Sequence, residues 1–194
     1  MNNVKKITLL SLMVLLSACS TITPPKTVEI PQVQQNAQQW TSWIINGNLA
    51  VKSADQAGNA SYRWKQVGPS QYDILIFGPL GTGTLRLKGQ SDVVTLTNSK
   101  GQVFSAKTPE ELLQQEAGWS MPVSNLYDWI RGLPAPGSAQ TTYNADHTLS
   151  KLIQDGWTID YVSYTTVNGS RLPNKIFMNS GDASVRLSIN EWKG

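Results

Sequence analysis

The chain has 194 residues, of which 40% are hydrophobic and only 15% are charged, and its formal net charge is +3. This apolar mass argues against a disordered chain, and a single cysteine cannot form a disulfide within one chain. Cys19 and His147 are the only residues of their types, so no Cys/His metal site and no cofactor are expected. The lysines and arginines form no run that favours nucleic-acid binding.

The first twenty residues have the pattern of a lipoprotein signal peptide. Lys5 and Lys6 precede an apolar run over residues 7–16, which is shorter than the roughly 20 residues that span a bilayer. The sequence Leu16-Ser17-Ala18-Cys19 follows and resembles the bacterial lipobox, in which the chain is cut before the cysteine and the thiol is lipidated. The alternative is an ordinary signal peptide with an incidental cysteine. We expect a signal peptide over residues 1–18 and lipidation at Cys19.

A tether and a single domain follow the expected anchor. Residues 19–32 contain three prolines and little apolar mass, which predicts an extended tether; residues 33–194 then form one domain. Ser20, rather than aspartate, follows the cysteine. Aspartate at this position resembles an inner-membrane retention signal of Gram-negative lipoproteins, so its absence favours the outer membrane, with the domain facing the periplasm.

The first half of the domain reads as a short helix followed by strands. Apolar residues at helical spacing predict a helix over residues 33–43. From residue 44 the apolar residues alternate in runs about ten residues apart, separated by Gly- and Asn-rich turns, which is typical of an antiparallel sheet, sandwich or barrel.

Two helices interrupt this pattern before strands resume. Thr108-Pro109-Glu110-Glu111 has the cap, proline and acidic residues of a helix start, and Pro122 opens a second helix that ends near Gly132. Strands return from residue 149, with Asp155-Gly156 and Asn168-Gly169 as hairpin turns. The prediction is a mainly β fold in which a helical insertion separates two β-meanders.

Catalytic groups do not assemble in the sequence. His147 lies in a predicted turn, and no pair among the 13 acidic residues is spaced as a catalytic dyad. No Ser-His-Asp set is evident either, although geometry rather than sequence order would decide that. We therefore predict no enzymatic activity, while a lipid-anchored hydrolase stays open.

The connection over residues 78–83 is unusually apolar for a turn. Pro79, Leu80 and Gly81 join two predicted strands without a polar neighbour before Thr82, whereas connections are normally polar. Leu80 either folds back onto the core or is exposed where it can reach lipid or an acyl chain. The pattern leaves both possibilities open.

The seven tryptophans are the second unusual feature. They either fill an ordinary core or line a large apolar cavity between a curved sheet and the helices, since ligand pockets are lined mainly by apolar and aromatic residues. Face alternation selects the candidate cavity residues, although the opposite face of any strand is possible. The candidates are Tyr62, Trp64, Ile74, Ile76, Leu85, Leu87, Leu126 and Trp129.

Several short segments, in this order along nearly the whole chain, resemble the LolB family of outer-membrane lipoprotein receptors of Gram-negative bacteria. They are Gly47-Asn48-Leu49-Ala50-Val51, Trp64, Pro79-Leu80-Gly81, Thr84-Leu85-Arg86-Leu87, Asn98-Ser99-Lys100-Gly101-Gln102, Pro122, Trp129-Ile130-Arg131-Gly132-Leu133-Pro134 and Leu187-Ser188-Ile189-Asn190-Glu191-Trp192.

The resemblance implies an open, unclosed antiparallel β-barrel covered by a helical lid, and a non-enzymatic role. Family members accept lipoproteins from the soluble periplasmic carrier LolA in a hydrophobic cavity and insert them into the inner leaflet of the outer membrane. A protruding loop with an exposed leucine serves membrane delivery, and Leu80 is the matching position. The expected partners are a LolA-like carrier, lipoprotein acyl chains and outer-membrane lipid, and the chain is expected to be a monomer. The rival hypothesis is a structural or assembly lipoprotein whose aromatic interior is full.

Overall fold

The computed structural model describes residues 31–53, 57–79, 83–117, 121–181 and 183–194. The expected signal peptide, Cys19 and nearly all of the tether lie outside the described residues, as do Leu80 and Gly81. The elements in chain order are α1 (Gln32–Gln38), β1 (Ser42–Ser53), β2 (Ala57–Val67), β3 (Gln71–Phe77), β4 (Thr84–Gln90), β5 (Val93–Thr97), β6 (Val103–Ala106), α2 (Pro109–Ala117), α3 (Val123–Trp129), β7 (Gln140–Tyr143), β8 (Leu149–Gln154), β9 (Trp157–Val167), β10 (Ser170–Ser180) and β11 (Ala183–Lys193).

All the strands belong to one antiparallel sheet in the order β6-β5-β4-β3-β2-β1-β11-β10-β9-β8-β7. The two meanders are joined by β1 and β11, which pair from Ile44↔Lys193 to Ser53↔Ala183. Helices α2 and α3 lie between the meanders in sequence, and β6 and β7 form the two edges of the sheet. The predicted architecture, an open antiparallel barrel with a helical insertion between two meanders, is confirmed.

Turn chemistry explains the sharp connections in the second meander. Asp155-Gly156 and Asn168-Gly169 both have two consecutive residues with positive φ, between 48° and 77°. Asp and Asn tolerate this conformation and glycine adopts it without a steric penalty. These two dipeptides therefore fix the β8–β9 and β9–β10 hairpins, as the sequence predicts.

Side-chain hydrogen bonds cap the start of α2 and connect α2 to α3. The Thr108 Oγ1 accepts from the Glu111 backbone N–H (3.2 Å), which caps the start of α2, and the Glu111 carboxylate accepts from the N–H of Lys107, the residue before the cap (3.2 Å). Glu110 accepts hydrogen bonds from the backbone N–H and the hydroxyl of Ser124 on α3. A carboxylate of α2 therefore accepts a hydrogen bond from a backbone N–H in the first turn of α3, which would otherwise lack a partner within its helix.

A chain of tryptophan rings closes one end of the sheet. Trp40 contacts Trp192 (ring centroids 5.8 Å apart), Trp192 contacts Trp43 (5.5 Å), and Trp43 contacts Trp64 (5.1 Å). All four side chains are buried. This end, near the start of β1 and the end of β11, is called the closed end below.

Two parts of the sequence prediction differ from the structure. The helix predicted over residues 33–43 ends at Gln38, because Trp43 already pairs in β1 as Trp43↔Gln66. Strand β7 is absent from the prediction because all four of its residues are exposed and show no apolar alternation. Within the described ranges, no helix is both long and apolar enough to cross a membrane.

Candidate functional site: an apolar cavity beneath the helices

A cavity of about 450 Å³ lies between the inner face of the sheet and helices α2 and α3. Most of its lining is aliphatic or aromatic, and Glu116 is the one charged residue among the described residues that line it. Because Glu116 is exposed, we place it at the mouth of the cavity. The lining residues are Leu49, Val51, Ala57, Gly58, Asn59, Ala60, Tyr62, Trp64, Ile74, Ile76, Leu85, Leu87, Leu96, Leu113, Glu116, Met121, Val123, Leu126, Ile130, Ile176, Met178, Val185 and Leu187.

Strand register brings six of the eight sequence-selected residues together in two rows across β2, β3 and β4. One row comprises Tyr62, Ile76 and Leu85. The other comprises Trp64, Ile74 and Leu87. Side chains alternate between the faces of a strand, and in all three strands the selected face is the one that lines the cavity.

Tyr62 is held in place by the strand on the far side of β1. Its hydroxyl donates to the Ser188 carbonyl oxygen (3.2 Å), and it can cross β1 because Gly47 has no side chain. A Cβ at Gly47 would lie 1.9 Å from the Ser188 carbonyl oxygen and 3.0 Å from the Tyr62 hydroxyl. Burial raises the pKa of Tyr62 well above its ordinary value, so the phenol presents a neutral ring to the cavity.

The seventh selected residue, Leu126, lines the cavity from α3, but the eighth does not. Trp129 is fully buried, its indole Nε1 donates to Gln154 Oε1 (2.9 Å), and it is absent from the lining. The placement of Trp129 in the cavity wall is therefore corrected. Ile130, four residues after Leu126, faces the cavity, whereas position 129 is rotated towards β8.

The prediction missed the contribution of the central and C-terminal strands. Leu49 and Val51 of β1 line the cavity together with side chains from β10 and β11, which are Ile176, Met178, Val185 and Leu187. Alternation in these strands was visible in the sequence. The missing information was that β11 pairs with β1, a contact between residues about 140 positions apart.

The residues that flank the apolar loop lie at the end of the sheet away from the tryptophans. Phe77 pairs with both Ser61 and Thr84, and the Gly78 N–H donates to the Gly83 carbonyl (3.0 Å). The β1–β2 hairpin connection is at this same end, since Lys52 pairs with Ala57. Pro79 is exposed here. We call this end of the sheet the open end.

A second, more open depression of about 800 Å³ lies on the outer face of the sheet. Its lining includes Asp160, Lys175 and Arg186, together with small polar side chains such as Ser61. Three charged side chains make it a poor environment for a purely apolar ligand. The smaller inner cavity is therefore the stronger candidate site.

Acid–base and metal chemistry have little support among the described residues. They contain no group of three or more His, Cys, Asp or Glu side chains placed to hold a metal ion. His147 is exposed in a turn with φ +61°, as the sequence predicts. The shape and lining of the cavity suit an apolar ligand.

Comparison with known proteins agrees with this geometry. A model of the family "Outer membrane lipoprotein LolB" matches residues 41–192. The chain belongs to the LolB family. It is 38% identical to the outer-membrane lipoprotein LolB of Pseudomonas savastanoi pv. phaseolicola over 94% of this chain and 93% of that protein. It is 33% identical to the LolB of Stutzerimonas stutzeri over 94% and 92% of the two chains.

Solved structures with little sequence similarity share the fold. A LolA superfamily protein from Nitrosomonas europaea matches with a TM-score of 0.50 at 12% identity, over 83% of this chain and 91% of that one. A DUF1329 family protein from Desulfovibrio piger matches with a TM-score of 0.55 at 8% identity, over 83% and 89%. The fold of this chain is thus shared with these two proteins.

The LolB-like segment Trp129-Ile130-Arg131-Gly132-Leu133-Pro134 has a structural role in this chain. Arg131 is 4% exposed, forms an ion pair with Asp128 and donates to the carbonyl oxygens of Tyr127 (2.8 Å) and Trp40 (3.2 Å). Gly132 has φ +76°, a conformation that favours glycine at the end of a helix. Through Arg131, the motif therefore connects the end of α3 to Trp40, in the segment before β1.

Proposed function

We propose that this chain is an outer-membrane-anchored receptor that accepts lipoproteins from a LolA-like periplasmic carrier and inserts them into the inner leaflet of the outer membrane. The observation that carries the proposal is the apolar cavity of about 450 Å³, in a chain that belongs to the LolB family. The cargo groups that suit this lining are the acyl chains of lipoproteins.

The cavity accounts for transfer without an external energy source. Moving a methylene group from water to an apolar site is worth about 0.8 kcal/mol, so an acyl chain that entered water would face a large barrier. Passage from the cavity of a carrier directly into this cavity avoids that barrier. Direction then depends on a difference in affinity, since only the difference between the two sites shifts the equilibrium.

Discharge is proposed to involve the loop over residues 78–83 at the open end. The loop is apolar, and the flanking residues Phe77 and Thr84 pair at the end of the sheet away from the tryptophans. Leu80 is the proposed contact with lipid, with Pro79 and Gly81 shaping the loop. A bilayer competes for the cargo because it offers the acyl chains apolar surroundings of unlimited volume.

Anchoring is proposed to occur through acyl chains on Cys19. The lipobox-like sequence before it supports cleavage after residue 18, which leaves residues 19–32 as a tether ahead of the domain. Replacing Cys19 with alanine should abolish incorporation of labelled palmitate and release the domain from the membrane fraction. A variant that stays labelled and membrane-bound would contradict this assignment.

The alternative, a structural lipoprotein with a filled interior, is weakened by the cavity itself. A filled core has few voids larger than a water molecule, whereas this one leaves about 450 Å³ between sheet and helices. A fluorescent apolar probe separates the two: a receptor binds it saturably and a lipoprotein displaces it. Binding that no lipoprotein displaces would favour the structural role.

Two experiments test the receptor function. Depletion of the chain in its host should leave other lipoproteins stalled in the periplasm, and their normal arrival in the outer membrane would contradict the proposal. Leu80→Glu should still take cargo from the carrier but fail to incorporate it into membranes. Transfer and incorporation are measured separately, because retained incorporation would disprove the role of the loop alone.

A further inference from the structure

We propose that the cavity measures acyl-chain length, with Trp64 as the floor that sets the limit. This inference rests on the proposed function, because it assumes that the ligand is an acyl chain. It goes further in naming the class of chain that fits and the residue that decides it.

The cavity volume corresponds to one long saturated chain. A methylene group occupies about the same volume as a water molecule in the liquid, roughly 30 Å³. A cavity of about 450 Å³ therefore holds about 15 such groups, which is close to one C16 chain. The site therefore takes one chain of that length, and additional chains of a multiply acylated cargo lie outside it.

A wall separates this cavity from a second, smaller space towards the closed end. We call this second space, which has a volume of about 180 Å³, the lower space, and the cavity of about 450 Å³ the upper cavity. Trp64, Ile74 and Val123 line both spaces, so these three side chains form the partition between them. Trp64 has the largest side chain of the three and provides most of the floor.

Trp64 is fixed in this position by two kinds of contact. Its indole Nε1 donates to Gln66 Oε1 (2.6 Å), and the Gln66 amide donates in turn to the Gly68 carbonyl (2.6 Å). Its ring packs on Trp43 at 5.1 Å between centroids. Because Gln66 is 1% exposed, this chain of hydrogen bonds is shielded from water, and rotation of the indole would leave Gln66 without its buried donor.

The two spaces also differ in chemistry across the wall. The upper lining is almost wholly apolar, whereas the lower lining includes Gln66, Ser70, Lys107, Thr108 and Ser124. The lining therefore becomes more polar beyond Trp64. Each methylene that enters the upper cavity gains the hydrophobic contribution, whereas methylenes beyond the floor meet a more polar lining and gain less.

The test measures the affinity of saturated fatty acids from C8 to C22, presented as monomers from cyclodextrin, by displacement of 1-aminoanthracene from the purified domain. Affinity should rise about fourfold per added methylene up to a break near C16, and then level off. A continuous rise to C22 would overturn the length limit. If no fatty acid displaces the probe, the proposed acyl-binding function itself fails.

Variants of the wall decide whether Trp64 sets the break. Trp64→Ala vacates space for about four methylenes, so the break should move to about C20. Trp40→Ala is the matched control, because it truncates another tryptophan of the closed end that lines neither space, and its break should stay near C16. An unmoved break in a Trp64→Ala protein that still binds the probe would overturn the assignment.

Two further variants keep the test decisive if Trp64→Ala does not fold. Ile74→Ala opens the same wall and should lengthen the preferred chain by about two methylenes. Ala60→Phe adds bulk to the lining far from the floor and should shorten it by about three. Equal breaks in both variants would overturn the proposal that this cavity acts as a length gauge.

Discussion

Along β2 the inward-facing side chains shrink from Trp64 through Tyr62 and Ala60 to Gly58, all on one face of one strand. At the closed end the Trp64 ring packs on Trp43, and the buried tryptophans fill the interior. At the open end the small residues leave the space that the helices cover. The comparison teaches that side-chain size along a continuous strand separates a packed core from a binding cavity.

The two ends also differ in whether polar side chains are buried there. Near the closed end Arg131, Gln66 and Gln154 are buried and hydrogen-bonded, and such groups are costly to disturb. The described cavity lining has Glu116 as its only charge, and this residue is exposed. We therefore expect substitutions near the closed end to change stability and substitutions at the open end to change binding.

The largest effect is expected from breaking the Arg131 network. Arg131→Met leaves the carboxylate of Asp128 without its partner and removes the donor to the Trp40 carbonyl. Removing one member of a buried pair costs about 3–5 kcal/mol, measured as the free energy of unfolding in urea. The double variant Asp128→Asn with Arg131→Met should lose less than Arg131→Met alone, and a cost below 1 kcal/mol for the single change would contradict the account.

A pair of truncations compares the two ends directly. Ile45 at the closed end is fully buried, so Ile45→Ala should cost about 2–5 kcal/mol through the cavity it creates. Leu85 faces space that already exists and is only half-buried, so Leu85→Ala should cost about 1 kcal/mol. Denaturant unfolding measures both, and equal costs would remove the distinction between core and cavity.

A charge placed at the open end should alter binding more than folding. Ile76→Glu puts a carboxylate among the apolar lining residues, where it is not paired, and should weaken binding of an apolar probe at least about tenfold. Leu75→Glu on the outer face of the same strand, opposite Arg63 and Arg86, is the control. The prediction fails if the two variants bind the probe equally well.

The smallest effect is expected from the exposed ion pair on the outer face. Arg86 donates two hydrogen bonds to Asp73 (2.8 and 2.6 Å), and these bonds lower the pKa of Asp73 from its ordinary value of 3.8. Because the pKa of Asp73 is lower in the folded protein than in the unfolded chain, the pair adds stability at a pH above the unfolded-state pKa. This gain is lost as the pH falls through the folded-state pKa. Asp73→Asn should therefore cost below about 1 kcal/mol at pH 7 and less at pH 2.5, by urea unfolding at both values. An equal cost at both pH values would show that the pair is not the cause.

Local chemistry was enough to predict much of this structure. The Asp155-Gly156 turn, the Thr108 cap and the alternating face of β2 to β4 are all encoded within a few residues. The alternation selects six residues that line the cavity, and Leu126 of α3 is a seventh. The placement of Trp129 in the cavity wall was wrong because an apolar helical stripe is about 100° wide. Such a stripe does not reveal which of two buried surfaces each of its side chains faces. That choice depends on Gln154, a partner 25 residues away.

Long-range pairing explains the rest of what the sequence left open. The contribution of Met178 and Val185 to the cavity depends on the β1–β11 pairing, and no local pattern specifies that pairing. Strand β7 was missed because an edge strand of four exposed residues lacks the apolar alternation by which strands are recognised. The size of the cavity likewise follows from how the helices cover the sheet.

The most direct test of the account asks where a cargo acyl chain lies. A photo-reactive benzophenone side chain is placed at Leu85, which lines the cavity, or at its neighbour Arg86, which lies on the outer face of the same strand. After transfer of a lipoprotein with radiolabelled acyl chains, irradiation should label the protein through position 85 and not through position 86. Equal labelling at both positions, or labelling at position 86 alone, would contradict the claim that the inner cavity holds the cargo.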